Sequence, residues 1–251
     1  MRILVTFAVE AEFAPWRKLR QFQRLDHPDI ECFSSKINED ELAVLLTGMG
    51  CKKAWIEATK VIWGSNVDIC ISSGLAGALR PDHLIGEILV PQNVLASRVD
   101  QVISCDATLI DSAVASGAKR VRTFYTADRV ISRAEEKKNL GAVADAVEME
   151  SGEILFEAAA FGARVVAVRA ISDRSDENLP IDFNKVTTQD GDVSFRKILG
   201  KVVGAPSAVP ALIRFGQQSK RAAESLAEFL ERFIYKLAAA SRTISSQEIA
   251  R

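Results

Sequence analysis

Short runs rich in Val, Ile and Leu recur along this chain and alternate with segments of helical periodicity, a pattern that admits little besides a sheet covered by helices. The candidate strands are Ile3–Ala8, Glu41–Thr47, Val67–Ser72, Glu87–Val90, Val121–Tyr125 and Val165–Ile171. Several are nearly continuous in apolar residues, as strands buried on both faces are. Helical segments fall between them, near Glu10–Arg20, Lys52–Trp63, Asp106–Ser116, Ala134–Asn139 and Glu150–Phe161. The alternation predicts an α/β fold, a three-layer α/β/α sandwich around a central mixed sheet. Neither an internal repeat nor a low-complexity linker divides the 251 residues. One domain over residues 1–251 is expected, closed by a helical extension at about 204–251.

The composition excludes several classes of function. Lys and Arg number 32 against 33 Asp and Glu, giving a net charge of −1 with both signs mixed throughout. That balance lacks the basic footprint of a nucleic-acid binder. The four cysteines, Cys32, Cys51, Cys70 and Cys105, are scattered and read as reduced thiols, not as a disulfide framework or a zinc site. The only histidines are His27 and His83, too few and too far apart for a His-centred triad or metal site. No metal is therefore expected. The opening run Ile3–Ala8 is too short for a signal segment, and no stretch reaches the ~20 apolar residues of a spanning helix. A cytoplasmic protein is expected.

The last third differs in texture. Ser175–Asp192 is polar and reads as a loop able to fold over a site, and Gly204–Pro210 forms a second break. The closing helix is apolar at Leu226, Phe229, Leu230, Phe233, Ile234 and Leu237, with Lys220, Arg221, Glu224, Glu228, Glu231 and Arg232 on its other side. That face packs on its own domain in the simpler reading and on a membrane surface or a partner in the other.

Two acidic clusters stand at element ends: Glu148-Met149-Glu150 before a helical segment, and Ile171-Ser172-Asp173 closing an apolar run. In α/β folds such ends converge on a cleft. Each residue also has an ordinary structural explanation. The glutamates suit a helix N-terminus, Asp173 a loop cap, Glu12 a solvated surface and Met149 a core. Arg169, inside an apolar run, requires a buried partner. The turns Gly48-Met49-Gly50 and Gly74-Leu75-Ala76-Gly77 match neither a P-loop nor a full dinucleotide fingerprint, so nucleotide triphosphates and NAD find little support.

Taken together the motifs are more specific. Ala146–Glu150 followed by Val168–Asp173 resembles the signature of the purine nucleoside phosphorylase superfamily. Ala8-Val9-Glu10-Ala11-Glu12 is similar to the A-M-E-x-E of its 5′-methylthioadenosine/S-adenosylhomocysteine nucleosidase branch, and Ser73–Gly77 to that branch's T-G-S-A-G. The resemblance runs through roughly residues 1–175. It implies cleavage of the N-glycosidic bond of a 5′-substituted adenosine, with release of adenine. By position, Asp173 becomes the acid at purine N7, Glu150 the acceptor of the ribose hydroxyls and Glu12 the base that activates water. Met149 packs on the sugar, Val130 and Ile131 border the base, and Arg169 lies near the nucleophile. Ala76, Gly77 and Ser172 complete the binding set.

Leu75 departs from the serine usual in that branch, and the stretches after Ile171 resemble instead the hopanoid-associated phosphorylases. That resemblance implies removal of adenine from adenosylhopane, whose greasy 5′ substituent would contact the apolar 205–216 segment and the closing helix, features that would equally serve a dimer interface. Water or phosphate as nucleophile thus stays open at this point, as does a non-catalytic nucleoside-binding protein. The resemblance implies no cofactor, with inorganic phosphate as co-substrate in a phosphorylase. It also implies a homodimer or higher homo-oligomer, for which Trp16, Trp55 and Trp63 are candidate contacts.

Overall fold

The computed structural model describes residues 1–26, 30–62, 66–97, 101–181 and 209–249. The elements run β1 (Arg2–Phe7), α1 (Glu10–Leu19), β2 (Gln23–Leu25), β3 (Glu31–Ile37), β4 (Asp40–Leu46), α2 (Cys51–Ile62), β5 (Ile69–Ala78) and β6 (Ile88–Ala96). Then come β7 (Gln101–Ser104), α3 (Ala107–Val114), β8 (Lys119–Thr126), α4 (Ala134–Leu140), β9 (Ala146–Glu148), α5 (Ser151–Ala160), β10 (Arg164–Asp173) and α6 (Val209–Ile249).

The apolar runs form the middle of the sheet. β1 lies between β4 and β5, parallel to both, and all its residues but Arg2 are buried. β10 continues parallel to β5 and is buried from Val165 to Asp173. The periphery is antiparallel: β3 pairs with β4, and β2 with β3. Helices α1, α3 and α6 pack together on one side of the sheet, and α2 with α5 on the other. The mixed sheet and its two helical layers follow from the alternation of buried runs and amphipathic segments.

The sheet also does something the strand pattern did not foretell. β10 pairs with β5 and β6, β6 with β8, β8 with β9, and β9 returns to β5. Half of the sheet therefore closes on itself. β5 runs on through Gly74–Ala78, so the predicted glycine turn is strand instead. A shift of register between Ile171 and Asp173 bends β10 at the same level. Such a bulge re-aims the side chains around it.

Among the described residues, the apolar face that the sequence marks on α6 is occupied by the domain itself. Leu226, Phe229, Leu230, Phe233 and Ile234 are buried in the main core, which leaves that face unavailable to a membrane surface. Among the described residues no helix is long and apolar enough to cross a membrane. Trp16 is 0% exposed, edge-on to Phe13 and Phe22, and its indole N–H donates to Glu231 of α6 at 2.8 Å. It is a core residue and not an assembly contact. The Trp55 side chain and Trp63 lie outside the described residues, as do most of the Ser175–Asp192 loop and most of the Gly204–Pro210 break.

Candidate active site

A cavity of about 520 Å³ opens where β1, β5, β9 and β10 end, within the range of small-molecule sites. Its wall comes from the start of α1, the curled end of β5, the β9–α5 junction, the end of β10 and the first turns of α6. Among the described residues, four carboxylates line it, Glu12, Glu148, Glu150 and Asp173, against one cation, Lys220.

Glu12 sits in the first turn of α1, whose N-cap Val9 offers no side-chain acceptor. The Glu12 carboxylate turns back past the N-cap and accepts the Ala8 N–H at 3.0 Å. Its other oxygen takes the Leu75 N–H at 3.1 Å. Burial raises this carboxyl above its ordinary range, against the Leu75 hydrogen bond and the Arg169 charge. Gly74, at φ +146°, leaves room for it, since a Cβ there would meet the Glu12 oxygens at 3.2 and 3.3 Å.

Glu148 and Glu150 divide the work of the β9–α5 junction. The Glu148 carboxylate caps α5, accepting the N–H groups of Glu150 at 3.1 Å and Ser151 at 2.8 Å. Arg169 donates to it at 2.5 Å and also reaches the Ser72 carbonyl and the Ser151 hydroxyl. Burial would raise the Glu148 carboxyl, but Arg169, the Thr126 hydroxyl and the two amides hold it below its usual range. Glu150 turns instead into the cavity, where the Gly50 N–H donates to it at 3.0 Å. Burial, and then the Glu148 charge, push its carboxyl up to about 8.

Asp173 closes β10. Its Oδ1 accepts the Ser172 hydroxyl at 2.7 Å, and its Oδ2 is bound by the Lys137 ammonium. Gly77 lies alongside because a Cβ there would stand 2.9 Å from Oδ2. Two of the glycines in the predicted turn thus clear space for two carboxylates.

The profile of the phosphorylase superfamily matches residues 2–204. The chain belongs to this superfamily. As a member it is an enzyme of the nucleosidase and phosphorylase class. It is similar to a 5′-methylthioadenosine/S-adenosylhomocysteine nucleosidase of Staphylococcus epidermidis, 24% identical over 192 residues that cover 67% of this chain and 84% of the relative. Its fold is similar to a futalosine hydrolase mutant of Helicobacter pylori, with TM-score 0.72, 19% identity and coverage of 93% of this chain and 98% of that one. It is also similar to an MTAN mutant of the same organism with 5′-methylthioadenosine in its active site, with TM-score 0.71, 19% identity and coverage of 93% and 97%.

Against the expectations drawn from this superfamily, Asp173, Glu12, Glu150, Met149, Val130, Ala76, Gly77 and Ser172 all line the one cavity. Two residues do not. Arg169 is 1% exposed, with Glu148, Ser72 and Ser151 taking its guanidinium beneath the cavity wall. Ile131 packs into a separate small cluster with Leu79, Ala127, Ala144 and Val147. Lys137 was not legible in the sequence, because its neighbours Glu135, Glu136 and Lys138 suggest a solvated helix. Phe215, Gly216, Ser219 and Ala223 of α6 complete the wall, in the stretch that the resemblance to the hopanoid-associated group had marked for contact with a 5′ substituent.

Proposed function

We propose that this enzyme hydrolyses the N-glycosidic bond of a 5′-substituted adenosine and releases adenine. The observation that carries the reading is the meeting of Glu12, Glu150 and Asp173 in one largely apolar cavity. An oxocarbenium-like transition state calls for an acid on the leaving base, an acceptor on the sugar and a base on the nucleophile. Asp173 is the acid toward purine N7, with Ser172 orienting it. Glu150 receives the ribose hydroxyls, and Met149 packs on the sugar. Glu12, its carboxyl raised by burial, is the more willing to take a proton from water. Val130, Ala76 and Gly77 border the base.

Water suits this cavity better than phosphate does. Arg169 is already paired with Glu148 and Lys137 with Asp173, which leaves the exposed Lys220 as the one cation among the described lining residues to meet a phosphate dianion. A phosphorolytic enzyme acting on a lipid-linked adenosine is the second reading. The apolar wall that Phe215 and Ala223 add supports it, as does Leu75 in place of a hydroxyl. With the main reading go a cytoplasmic location, a homo-oligomeric assembly and no cofactor. Adenine release is to be followed from 5′-methylthioadenosine, S-adenosylhomocysteine, inosine and a 5′-alkyladenosine, with and without phosphate. Turnover of the first two at rates indifferent to phosphate is expected. Release that requires phosphate, or that occurs only with the alkyl substrate, would transfer the assignment to the second reading.

A further inference from the structure

Lys137 of α4 has none of its side chain exposed. A buried ammonium must find acceptors, because nothing else replaces its lost hydration. It has three, which saturate its three N–H donors: Asp173 Oδ2, the Arg174 carbonyl at 2.9 Å and the Glu177 carbonyl at 3.0 Å. All three belong to the end of β10 and the turn that follows it. The same turn is tied to the start of α4 from the other direction. Ala134 N–H donates to the Asn178 side chain at 2.8 Å, and Leu179 N–H to the Ser132 carbonyl at 2.9 Å. Leu179 lines the cavity, as Asp173 does, whereas Lys137 does not. With Ser172 on Oδ1 and Lys137 on Oδ2, the Asp173 carboxyl cannot rotate without breaking both bonds.

We propose that Lys137 is a positioning residue for the glycosidic cleavage. Its ammonium holds the Asp173 carboxyl at the end of the cavity that receives the purine, while Leu179 of the following turn is seated by its own bond to Ser132 and by the Asn178–Ala134 bond. It acts only through Asp173, and so only on departure of the base. The inference rests on the reading of Asp173 as the acid toward the purine.

The test compares two substrates in Lys137→Met. One is 5′-methylthioadenosine, and the other the 4-nitrophenyl glycoside of 5-methylthioribose, whose phenolate leaves without an acid. The kcat for the adenosine should fall ~10²-fold with KM nearly unchanged, while the nitrophenyl glycoside is cleaved within ~3-fold of the wild-type rate. Equal losses on both substrates, or an undiminished kcat for the adenosine, would overturn the proposal. Asp173→Asn measured alongside separates the two layers. If that variant cleaves the adenosine like wild type, the assignment of the acid is wrong. If it is impaired and Lys137→Met is not, only the role of Lys137 is wrong. Should Lys137→Met fail to fold, the double variant Asp173→Asn/Lys137→Met removes both charges of the pair. Its activity should match that of Asp173→Asn within ~3-fold, and a further ~10-fold loss contradicts action through Asp173.

Discussion

The glutamates of the cavity are not equivalent as residues, because burial acts on each through different partners. Glu150 is the extreme case, lifted from its ordinary 4.5 to about 8. Between those two values the folded protein keeps a proton on Glu150 that the unfolded chain has already lost. The resulting stability is fully present below about pH 4.5 and is lost as pH rises to about 8. Melting curves between pH 5 and 9 should therefore show Tm falling with pH in wild type, and a flatter profile in Glu150→Gln. Parallel profiles would remove Glu150 as the source. The chemistry of single residues was only half legible in the sequence. An arginine inside the apolar run Val165–Ala170 must have a buried partner, and Glu148 supplies it. Lys137 offered no such sign, since burial of one lysine in a run of four charged residues depends on the turn folded over it.

Elements were legible in proportion to how much of their own pattern they carry. β1, β4, β5 and β10 lie at the centre of the sheet, and their apolar runs mark them without help from neighbours. β3, Glu-Cys-Phe-Ser-Ser-Lys-Ile, is half exposed near the sheet edge, and β9 is only three residues long. Such strands are specified by the partner that pairs with them, which a single sequence does not display. α6 shows the same division along one helix. Its middle is a core element: Phe229 and Phe233 stack with ring centroids 5.4 Å apart and are fully buried. Its beginning is a cavity wall through Phe215 and Gly216. Phe229→Ala should therefore cost ~3–5 kcal/mol in urea unfolding with little change in substrate preference. Phe215→Ala should raise KM for substrates with an apolar 5′ group and leave stability nearly unchanged. The reverse pairing of effects would mean that α6 is not divided in this way.

At the scale of the whole molecule, closure of half the sheet brings together acids that are far apart in sequence. The ring through β5, β10, β6, β8 and β9 sets Glu12, Glu150 and Asp173 around one cavity, although 161 residues separate the first from the last. The alternation of strands and helices predicted the layers but not this closure, which depends on long-range pairings such as Gly77 with Val147. Among the described residues, the closed end pairs the cavity's buried cations with Asp173 and Glu148, and on that pairing rests the choice of water as nucleophile. The most direct measurement is turnover of 5′-methylthioadenosine in phosphate-free water enriched in oxygen-18, with the products weighed by mass spectrometry. The account predicts free adenine and one labelled oxygen at C1 of the methylthioribose, at a rate that added phosphate does not change. Absence of adenine, or its release only with phosphate and as an unlabelled sugar phosphate, would contradict it.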